Sequence, residues 1–370
     1  MTNVLLVSGS WPPQACGVGD YTQVLSQHLT KAGIAVRRFA SGRFSQLYAP
    51  SILEEIEHSD CDVIHIQYPT AGYGRSLTPS AIARRIRSRP VVVTLHEYAV
   101  FKPYRRAWFS PFARHCAARI FTTGEERALF EQRFPRRRGV DATVEIGSNV
   151  PAAAGRPRQP NLVCYFGLIA PNKGLEAFLE LARLAGVSSS SLTFELIGAV
   201  PDRFRRYADD IIAQATAIGI KVSPQLPDHE VAAHLAEATF AYLPFPDGAS
   251  AKRGTLAAAF VNGLLVATRH SPITPDWIRG ATLDTGGPQD ALSALTRLQA
   301  NPTARADLSR RVEAAARHFR WDAIADRHVA LYESLLQSPV SAGALNNRRA
   351  ESHSARRARS PQSDDSIRPQ

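Results

Sequence analysis

The chain has 370 residues, of which 44% are apolar and 21% are charged. This length accommodates two domains of ordinary size, each with its own apolar core. The longest apolar runs are only as long as a strand, which excludes a membrane span of about 20 residues and a signal peptide. The four cysteines lie far apart without a C-x-x-C pair, which predicts reduced thiols in a cytoplasmic protein.

Basic residues are in excess, with 44 Lys and Arg against 33 Asp and Glu and a formal net charge of +11. Apart from a basic tail, the excess is concentrated at residues 84–89, 102–106 and 136–138. Nucleic acid is not a predicted partner, because there is no nucleic-acid-binding motif and no alternation of aromatic and basic residues. An anionic membrane surface or a phosphate-bearing substrate fits this charge, and so do ordinary solvated arginines.

The first part of the chain alternates between strand and helix patterns. Strands are predicted at residues 4–8, 36–40, 62–68, 90–96, 119–123 and 143–147. An amphipathic helix is predicted over residues 21–32, with Gly33 as the glycine that ends it. Thr123 and Glu126 form a capping box ahead of another helix. Such alternation is typical of a doubly wound parallel sheet.

Residues 151–160 contain three prolines and a glycine, and they form the predicted linker between two domains. A second alternation follows, with strands predicted at residues 161–167, 192–198, 220–226, 240–245 and 264–268. The sequence therefore predicts an α/β protein of two Rossmann-like, doubly wound domains, at residues 1–150 and 161–318. A final helix is predicted at residues 319–337. The tail, residues 338–370, is predicted to be disordered because it has almost no large apolar residues.

The first predicted strand leads through a loop that contains Gly17, Val18 and Gly19 into the first helix. Backbone N–H groups and the positive end of a helix then converge on one point, which predicts an anion site. The glycines allow a phosphate or sugar to approach the main chain closely. The spacing matches neither the Rossmann fingerprint nor the P-loop.

Two histidines of the first domain have different predicted roles. His96 ends an apolar strand at the carboxyl edge of the sheet, where ligands of parallel sheets bind. We therefore predict a functional role for it, with anchoring of a loop as the alternative. His65 lies inside a strand, which favours a buried structural hydrogen bond.

The second domain contains two candidate phosphate sites at helix starts. Lys173 precedes Gly174 after the first strand, in a position to place its ammonium group on a phosphate. The second candidate is a polar, cationic segment between a strand and a helix, with Asp247, Ser250, Lys252, Arg253 and Thr255. The alternatives are a surface lysine and a polar capping loop.

Two acidic segments are given structural interpretations. Asp60 and Asp62 could form a metal-binding D-x-D pair, but they lie at the amino end of their strand and are interpreted as a solvated turn. Asp228 precedes an apolar helix and is predicted to be its N-cap.

The order of five segments resembles the family 4 (GT4-like) retaining glycosyltransferases of GT-B fold. The resemblance covers residues 1–337 and is carried by residues 12–21, 93–97, 146–151 and 165–174, together with Trp321 and Tyr332. It implies a nucleotide-diphosphate sugar donor held by the second domain and an acceptor met by the first. It also implies retention of configuration, no required metal or cofactor, and a last helix that crosses back to the first domain.

The resemblance also implies residue roles. Gly17 and Gly19 would approach the donor diphosphate or sugar, and His96 would touch the donor sugar near the reacting carbon. Lys173 would neutralise diphosphate charge. Together with Arg253, these residues would form the walls of one diphosphate-sugar pocket.

The sequence departs from the family pattern at three positions. Leu168 occupies the place of an arginine, and Ser250 and Ala258 occupy the places of two glutamates. We hypothesise that Arg253, with Lys252, takes over the phosphate role of the missing arginine, while Asp247 or Ser250 contacts the sugar.

Such enzymes commonly build bacterial surface or extracellular polysaccharide. The resemblance thus implies a cytoplasmic hexosyltransferase with a sugar or lipid-linked sugar as acceptor. Its basic first domain would suit docking to the inner face of the cell membrane. The missing glutamates leave an alternative, a catalytically silent GT-B protein that binds sugar nucleotides or a partner. An epimerase of the same fold would need catalytic acids that the sequence does not reveal.

Overall fold

The computed structural model describes residues 1–153 and 157–337. The predicted disorder of residues 338–370 and the middle of the predicted linker lie outside these residues. The chain divides into two units. Unit 1 comprises residues 1–121, 126–143 and the described residues from Ala325 onward, and unit 2 comprises residues 122–125 and 144–324.

Unit 1 contains a six-stranded parallel sheet with the strand order β2-β1-β3-β4-β5-β6. The strands are β1 (Asn3–Val7), β2 (Ala35–Phe39), β3 (Val63–Tyr68), β4 (Val91–Leu95), β5 (Ala118–Phe121) and β6 (Val140–Thr143). The helices are α1 (Gly17–Lys31), α2 (Pro50–Glu57), α3 (Thr78–Arg85), α4 (Pro103–Arg106), α5 (Ser110–His115) and α6 (Gly124–Arg133), whose first two residues belong to unit 2. Every residue of β4 is buried, as expected for a parallel strand covered on both faces.

Two predictions for unit 1 are corrected by the structure. The sixth strand, predicted at residues 143–147, lies instead at Val140–Thr143, where it pairs with β5. This register places Asp141 opposite Arg119, and Arg119 Nε donates to Asp141 Oδ1 at 2.5 Å. Residues 17–19 were predicted to lie in a loop before the first helix, but α1 already begins at Gly17. The glycine segment is therefore the first turn of the helix.

Unit 2 contains a second six-stranded parallel sheet, ordered β12-β11-β10-β7-β8-β9. Its strands are β7 (Gln159–Phe166), β8 (Thr193–Gly198), β9 (Lys221–Pro224), β10 (Ala238–Leu243), β11 (Leu265–Thr268) and β12 (Thr282–Asp284). Its helices are α7 (Leu175–Val187), α8 (Arg205–Ala217), α9 (Asp228–Glu237), α10 (Gly254–Val261), α11 (Asp276–Gly280), α12 (Pro288–Ala300) and α13 (Pro302–Ala316). Strand β12 is not among the predicted strands, because it has only three residues and no apolar run.

The last described helix, α14 (Trp321–Gln337), begins in unit 2, and its residues from Ala325 onward belong to unit 1. Each unit has its own cluster of buried apolar side chains, built from its sheet and the helices that cover it. The predicted α/β class with two doubly wound sheets is confirmed. No helix in the described part of the chain is long and apolar enough to cross a bilayer.

Candidate functional site

A cavity of about 640 Å³ in unit 2 lies beside the carboxyl ends of β7 and β10. These strands are hydrogen-bonded neighbours in the sheet although more than 70 positions separate them in sequence. From β7 the chain adds strands in one direction through β8 and β9, and it returns to the other side of β7 with β10. Such a switch point opens a crevice where ligands of parallel α/β sheets bind. The volume lies in the usual range for a ligand pocket.

Four of the predicted donor-binding residues line this cavity: Lys173, Lys252, Arg253 and Thr255. The tertiary fold therefore brings the two candidate phosphate sites of the second domain together. Ser250 and Asp247 precede helix α10, as Lys252 and Arg253 do, but they are not among the residues that line the cavity. Their predicted contact with a sugar stays a prediction.

The side chain of Arg253 is held in place from two sides. Its guanidinium contacts the carboxylate of Asp247, and its central carbon lies 4.9 Å from the ring centroid of Phe245. The Arg253 side chain is only 25% exposed, whereas that of Asp247 is 69% exposed. These contacts position a cation at the cavity wall, and they give Asp247 an observed contact to Arg253.

Helix α10 begins at this cavity, and helix α7 begins two residues after Lys173, which lines it. Helix α10 starts at Gly254, directly after Arg253, and Gly254 and Thr255 both line the cavity. Helix α7 starts after Gly174, whose φ of +81° belongs to the left-handed region. A Cβ on Gly174 would lie 2.3 Å from the carbonyl oxygen of Pro244, so a glycine is required there. The first N–H groups of a helix have no partner inside it, which makes both starts suited to an anion.

Several lining residues were not predicted. Asp228 lines the cavity, and it is the first residue of α9 rather than its N-cap, which is Pro227. The prediction for Asp228 was wrong because proline ends the preceding loop and already occupies the cap. The hydroxyl of Tyr165 donates to the carbonyl oxygen of Lys173 at 3.0 Å, which fixes the loop that carries this lysine.

A second cavity of about 500 Å³ in unit 2 shares three lining residues with the first: Asn172, Phe245 and Pro246. It is also lined by Tyr242, at the end of β10, and by Arg269, which follows β11. The carboxyl edge of this sheet thus offers two adjoining cavities.

The remaining predicted site residues lie in unit 1. His96 directly follows β4 and is 4% exposed. Its Nε2 lies 2.9 Å from Oε1 of Gln67, and its ring packs edge-on against Tyr21 at a centroid distance of 4.8 Å. Burial, reinforced by the nearby His328, lowers the pKa of His96 to about 3. His96 is therefore a neutral imidazole at physiological pH, suited to hydrogen bonding rather than to carrying charge.

His65 forms the predicted buried hydrogen bonds. Its Nδ1 lies 2.6 Å from the hydroxyl of Tyr332 on α14, and its Nε2 lies 2.7 Å from the hydroxyl of Thr94. The amide nitrogen of Gln67 lies 3.2 Å from the same Nε2. Gln67 thereby connects His65 to His96, and this network extends from helix α14 to the end of β4.

The first turn of α1 contains Gly17, Val18 and Gly19. A Cβ on Gly17 would meet no described atom within 4 Å, whereas a Cβ on Gly19 would lie 3.0 Å from the carbonyl oxygen of Ser10. Gly17 thus leaves open space at the helix start, and Gly19 allows close packing of the loop after β1. The N-cap of the helix is Cys16. Burial opposes ionisation of its thiol, but backbone N–H groups, first that of Ala71, outweigh this and lower its pKa.

The two buried histidines predict an acid-sensitive fold. Burial lowers the pKa of both His65 and His96, so the unfolded chain binds more protons than the folded protein below pH 6.5. Their contribution is fully present above pH 6.5 and is lost as the pH falls from there toward 3. We expect His96 to lower the free energy of unfolding by about 2 kcal/mol between pH 7 and pH 5, and His65 to add a decrease in the same direction.

Denaturant unfolding at the two pH values measures this difference. His96→Gln should remove the part of this difference that His96 contributes, whereas His229→Gln, at a side chain that is 79% exposed, should leave the difference unchanged. A free energy of unfolding that is equal at pH 7 and pH 5 would contradict the assignment of two neutral buried histidines.

Residues 35–142 match the family model described as Glycosyltransferase Family 4. Comparison with curated proteins gave no match. HepE of Anabaena, solved with UDP and glucose, is 16% identical, with a TM-score of 0.55 over 90% of this chain and 100% of that chain. The sucrose-phosphate synthase of Thermosynechococcus elongatus is 17% identical, with a TM-score of 0.57 over 91% of this chain and 99% of that chain. A glycosyltransferase from Rickettsia africae is 10% identical, with a TM-score of 0.65 over 91% of this chain and 99% of that chain.

These similarities confirm the predicted resemblance to family 4 glycosyltransferases and the GT-B fold class. At such low identity, the solved structures establish the fold alone. The roles of the individual site residues stay predictions.

Proposed function

We propose that this chain is a glycosyltransferase that moves a sugar from a nucleotide-diphosphate donor to an acceptor. The observation that carries the proposal is the unit 2 cavity at the switch point of a parallel sheet, which is lined by three cationic side chains and by the start of helix α10. A diphosphate carries the negative charge that this combination recognises. The match of residues 35–142 to Glycosyltransferase Family 4 and the UDP bound by HepE support the same conclusion.

In this proposal Lys173, Lys252 and Arg253 bind the diphosphate and stabilise the charge that develops on it as the bond to the sugar breaks. Such preorganised cations act most strongly on the leaving group in the transition state. They supply the positive charge at the diphosphate, so we propose a reaction that requires no divalent metal. The adjoining cavity, lined by Tyr242 and Arg269, gives room for a further part of the donor.

We also propose retention of configuration at the transferred sugar, as the resemblance implies. His96 would contact the donor sugar through its ring while Gln67 fixes the orientation of that ring. The first turn of α1, from Gly17 to Gly19, would approach the donor from unit 1. This assignment rests on the family pattern and on the open space at Gly17.

The acceptor we propose is a sugar or lipid-linked sugar for bacterial surface or extracellular polysaccharide, met by a cytoplasmic enzyme at the inner face of the membrane. Three apolar side chains beyond β4 are strongly exposed, namely Val100, Tyr104 and Trp108. They lie near the exposed Lys102 and Arg105 in the sequence, and the Arg105 guanidinium lies 5.6 Å from the Trp108 ring centroid. Exposed apolar side chains beside basic ones are typical of segments that bind an anionic membrane surface.

A thermal-shift screen with UDP-, GDP- and ADP-sugars tests donor binding. A ligand that binds only the folded protein stabilises it by about 2.7 kcal/mol at a concentration of 100 times its Kd. We expect one nucleotide family to raise the Tm by several degrees and the free sugars to leave it unchanged. If none of the nucleotide sugars shifts the Tm, the proposed function is wrong.

A further inference from the structure

A cavity of about 430 Å³ in unit 1 lies where strands β4, β5 and β6 begin. Its basic lining residues are Arg87, Arg89, Arg114, His115 and Arg138, and no carboxylate is among the described residues that line it. This is the amino edge of the sheet, opposite to the edge at which His96 follows β4. The cavity is therefore lined by other residues than the candidate donor site, and a ligand bound in it goes beyond the proposed function.

The innermost cation is Arg89, which is only 5% exposed. Its Nη1 donates to the carbonyl oxygens of Ser59 at 2.6 Å and Cys61 at 2.9 Å, and its Nη2 donates to that of Glu57 at 2.7 Å. Its Nε is buried and has no hydrogen-bond partner among the described residues. Carbonyl dipoles hold this guanidinium in place, and within the described chain its hydrogen bonds reach no carboxylate.

The other large buried arginine of unit 1 differs from Arg89 because it is paired with a carboxylate. Arg119 is fully buried, and its Nε donates to the carboxylate of Asp141 at 2.5 Å. A buried charge without a counter-charge is costly, so a structural arginine is normally paired in this way. Glu57 contacts Arg89 through its backbone carbonyl, while its carboxylate accepts a hydrogen bond from Ser88 at 2.6 Å. Arg89 thus retains the capacity to bind an anion that enters the cavity.

The outer wall adds further positive charge. Nη2 of Arg87 lies 2.8 Å from Nδ1 of His115, and it donates to this nitrogen because arginine cannot accept. Burial and the surrounding arginines, first Arg87, lower the pKa of His115. The side chains of Arg114 and Arg138 are exposed at the rim. Two of the basic runs in the sequence, at residues 84–89 and 136–138, therefore meet at one cavity.

We propose that this cavity binds a phosphate group, either as inorganic phosphate or as the headgroup of an anionic phospholipid. The guanidinium fork matches two phosphate oxygens, and several arginines around one small cavity suit a doubly charged anion. Arg89 forms the floor of the site, and Arg87, Arg114 and Arg138 surround its entrance.

Isothermal titration of the full chain with inorganic phosphate at low ionic strength tests the site. We expect Arg87→Gln and Arg138→Gln each to weaken binding at least tenfold. The matched control is Arg136→Gln, an exposed arginine of the same loop that does not line the cavity, and it should change the affinity less than twofold. All three side chains are exposed, so the variants should keep the Tm of the parent chain.

Flotation with phosphatidylcholine vesicles that contain phosphatidylglycerol distinguishes the two sources. Reduced flotation of the two cavity variants, with normal flotation of Arg136→Gln, supports a lipid headgroup. Unchanged flotation together with weakened phosphate binding supports free phosphate.

An NMR titration of His115 adds an independent readout, because bound phosphate should raise the pKa of this imidazole. The proposal is overturned if phosphate does not bind, or if all three variants bind it equally.

Discussion

Arg253→Ala should lower kcat/KM for the nucleotide-sugar donor by about 10- to 150-fold, which corresponds to the loss of one charge-assisted contact of about 1.5–3 kcal/mol. The expectation follows from the place of Arg253 at the cavity wall, where Asp247 and Phe245 hold its guanidinium. Arg253→Lys should give an intermediate loss, because lysine keeps the charge but not the planar fork that these contacts orient. Steady-state kinetics and donor-induced Tm shifts measure both effects.

The matched control is Arg206→Ala, an exposed arginine of unit 2 on α8 that lies outside both cavities. Near-normal turnover and donor affinity in Arg253→Ala would show that this arginine does not replace the missing family arginine.

A double-mutant cycle with Asp247→Asn assigns the role of the carboxylate. If Asp247 acts by positioning Arg253, its substitution should add little in the Arg253→Ala background. A full additional loss there would instead support the predicted contact of Asp247 with the sugar.

His96→Ala should reduce transfer by at least about 100-fold in kcat, while the donor still raises the Tm. An interaction made mainly in the transition state lowers kcat far more than binding, and a contact near the reacting carbon is of this kind. Because burial lowers the pKa of His96 to about 3, the wild-type profile should show no step from this residue between pH 5.5 and 8. Measurements of kcat across this pH range test both statements.

The substitution also leaves the buried amide oxygen of Gln67 without its partner, at a cost of about 1–3 kcal/mol of stability. A matched control for this loss is Thr78→Val, which removes a buried hydroxyl that accepts from the backbone N–H of Ala49 at 3.1 Å. This variant should be less stable but keep normal kcat. Wild-type protein that binds nucleotide sugars without any turnover would support the catalytically silent alternative. Normal kcat in His96→Ala would contradict the role of His96 in transfer.

Much of the fold followed from local sequence patterns. The first strand lies within one residue of its predicted position, and Gly33 follows the C-cap of α1 as predicted. The predictions were wrong where the local sequence was compatible with two positions for a strand or a helix cap. The apolar residues Val144 and Ile146 favoured a strand at residues 143–147, whereas the pairing with β5 places β6 at Val140–Thr143. Proline at position 227 likewise displaced Asp228 from the cap to the first turn of α9.

The candidate site was predictable in its parts. Lys173 and Arg253 each stand at a helix start after a strand, and a helix start has the same unpaired N–H groups wherever it occurs. Nothing in the sequence showed that Asp228 lines the same cavity, or that Asp247 contacts Arg253. The sequence also did not show that Gln67 forms a hydrogen bond with His96, since 29 positions separate the two residues.

The sequence by itself determined the alternation of strands and helices, the division into two sheets and the cationic character of the helix starts. These properties depend on periodicity and residue type over a few turns of chain. Only the tertiary structure decided that β10 returns beside β7 and thereby brings Lys173 and Arg253 to one cavity. It likewise decided that two distant basic runs surround Arg89. Strand order is set by the burial of apolar faces between elements far apart in the chain, and no local pattern records which elements those are.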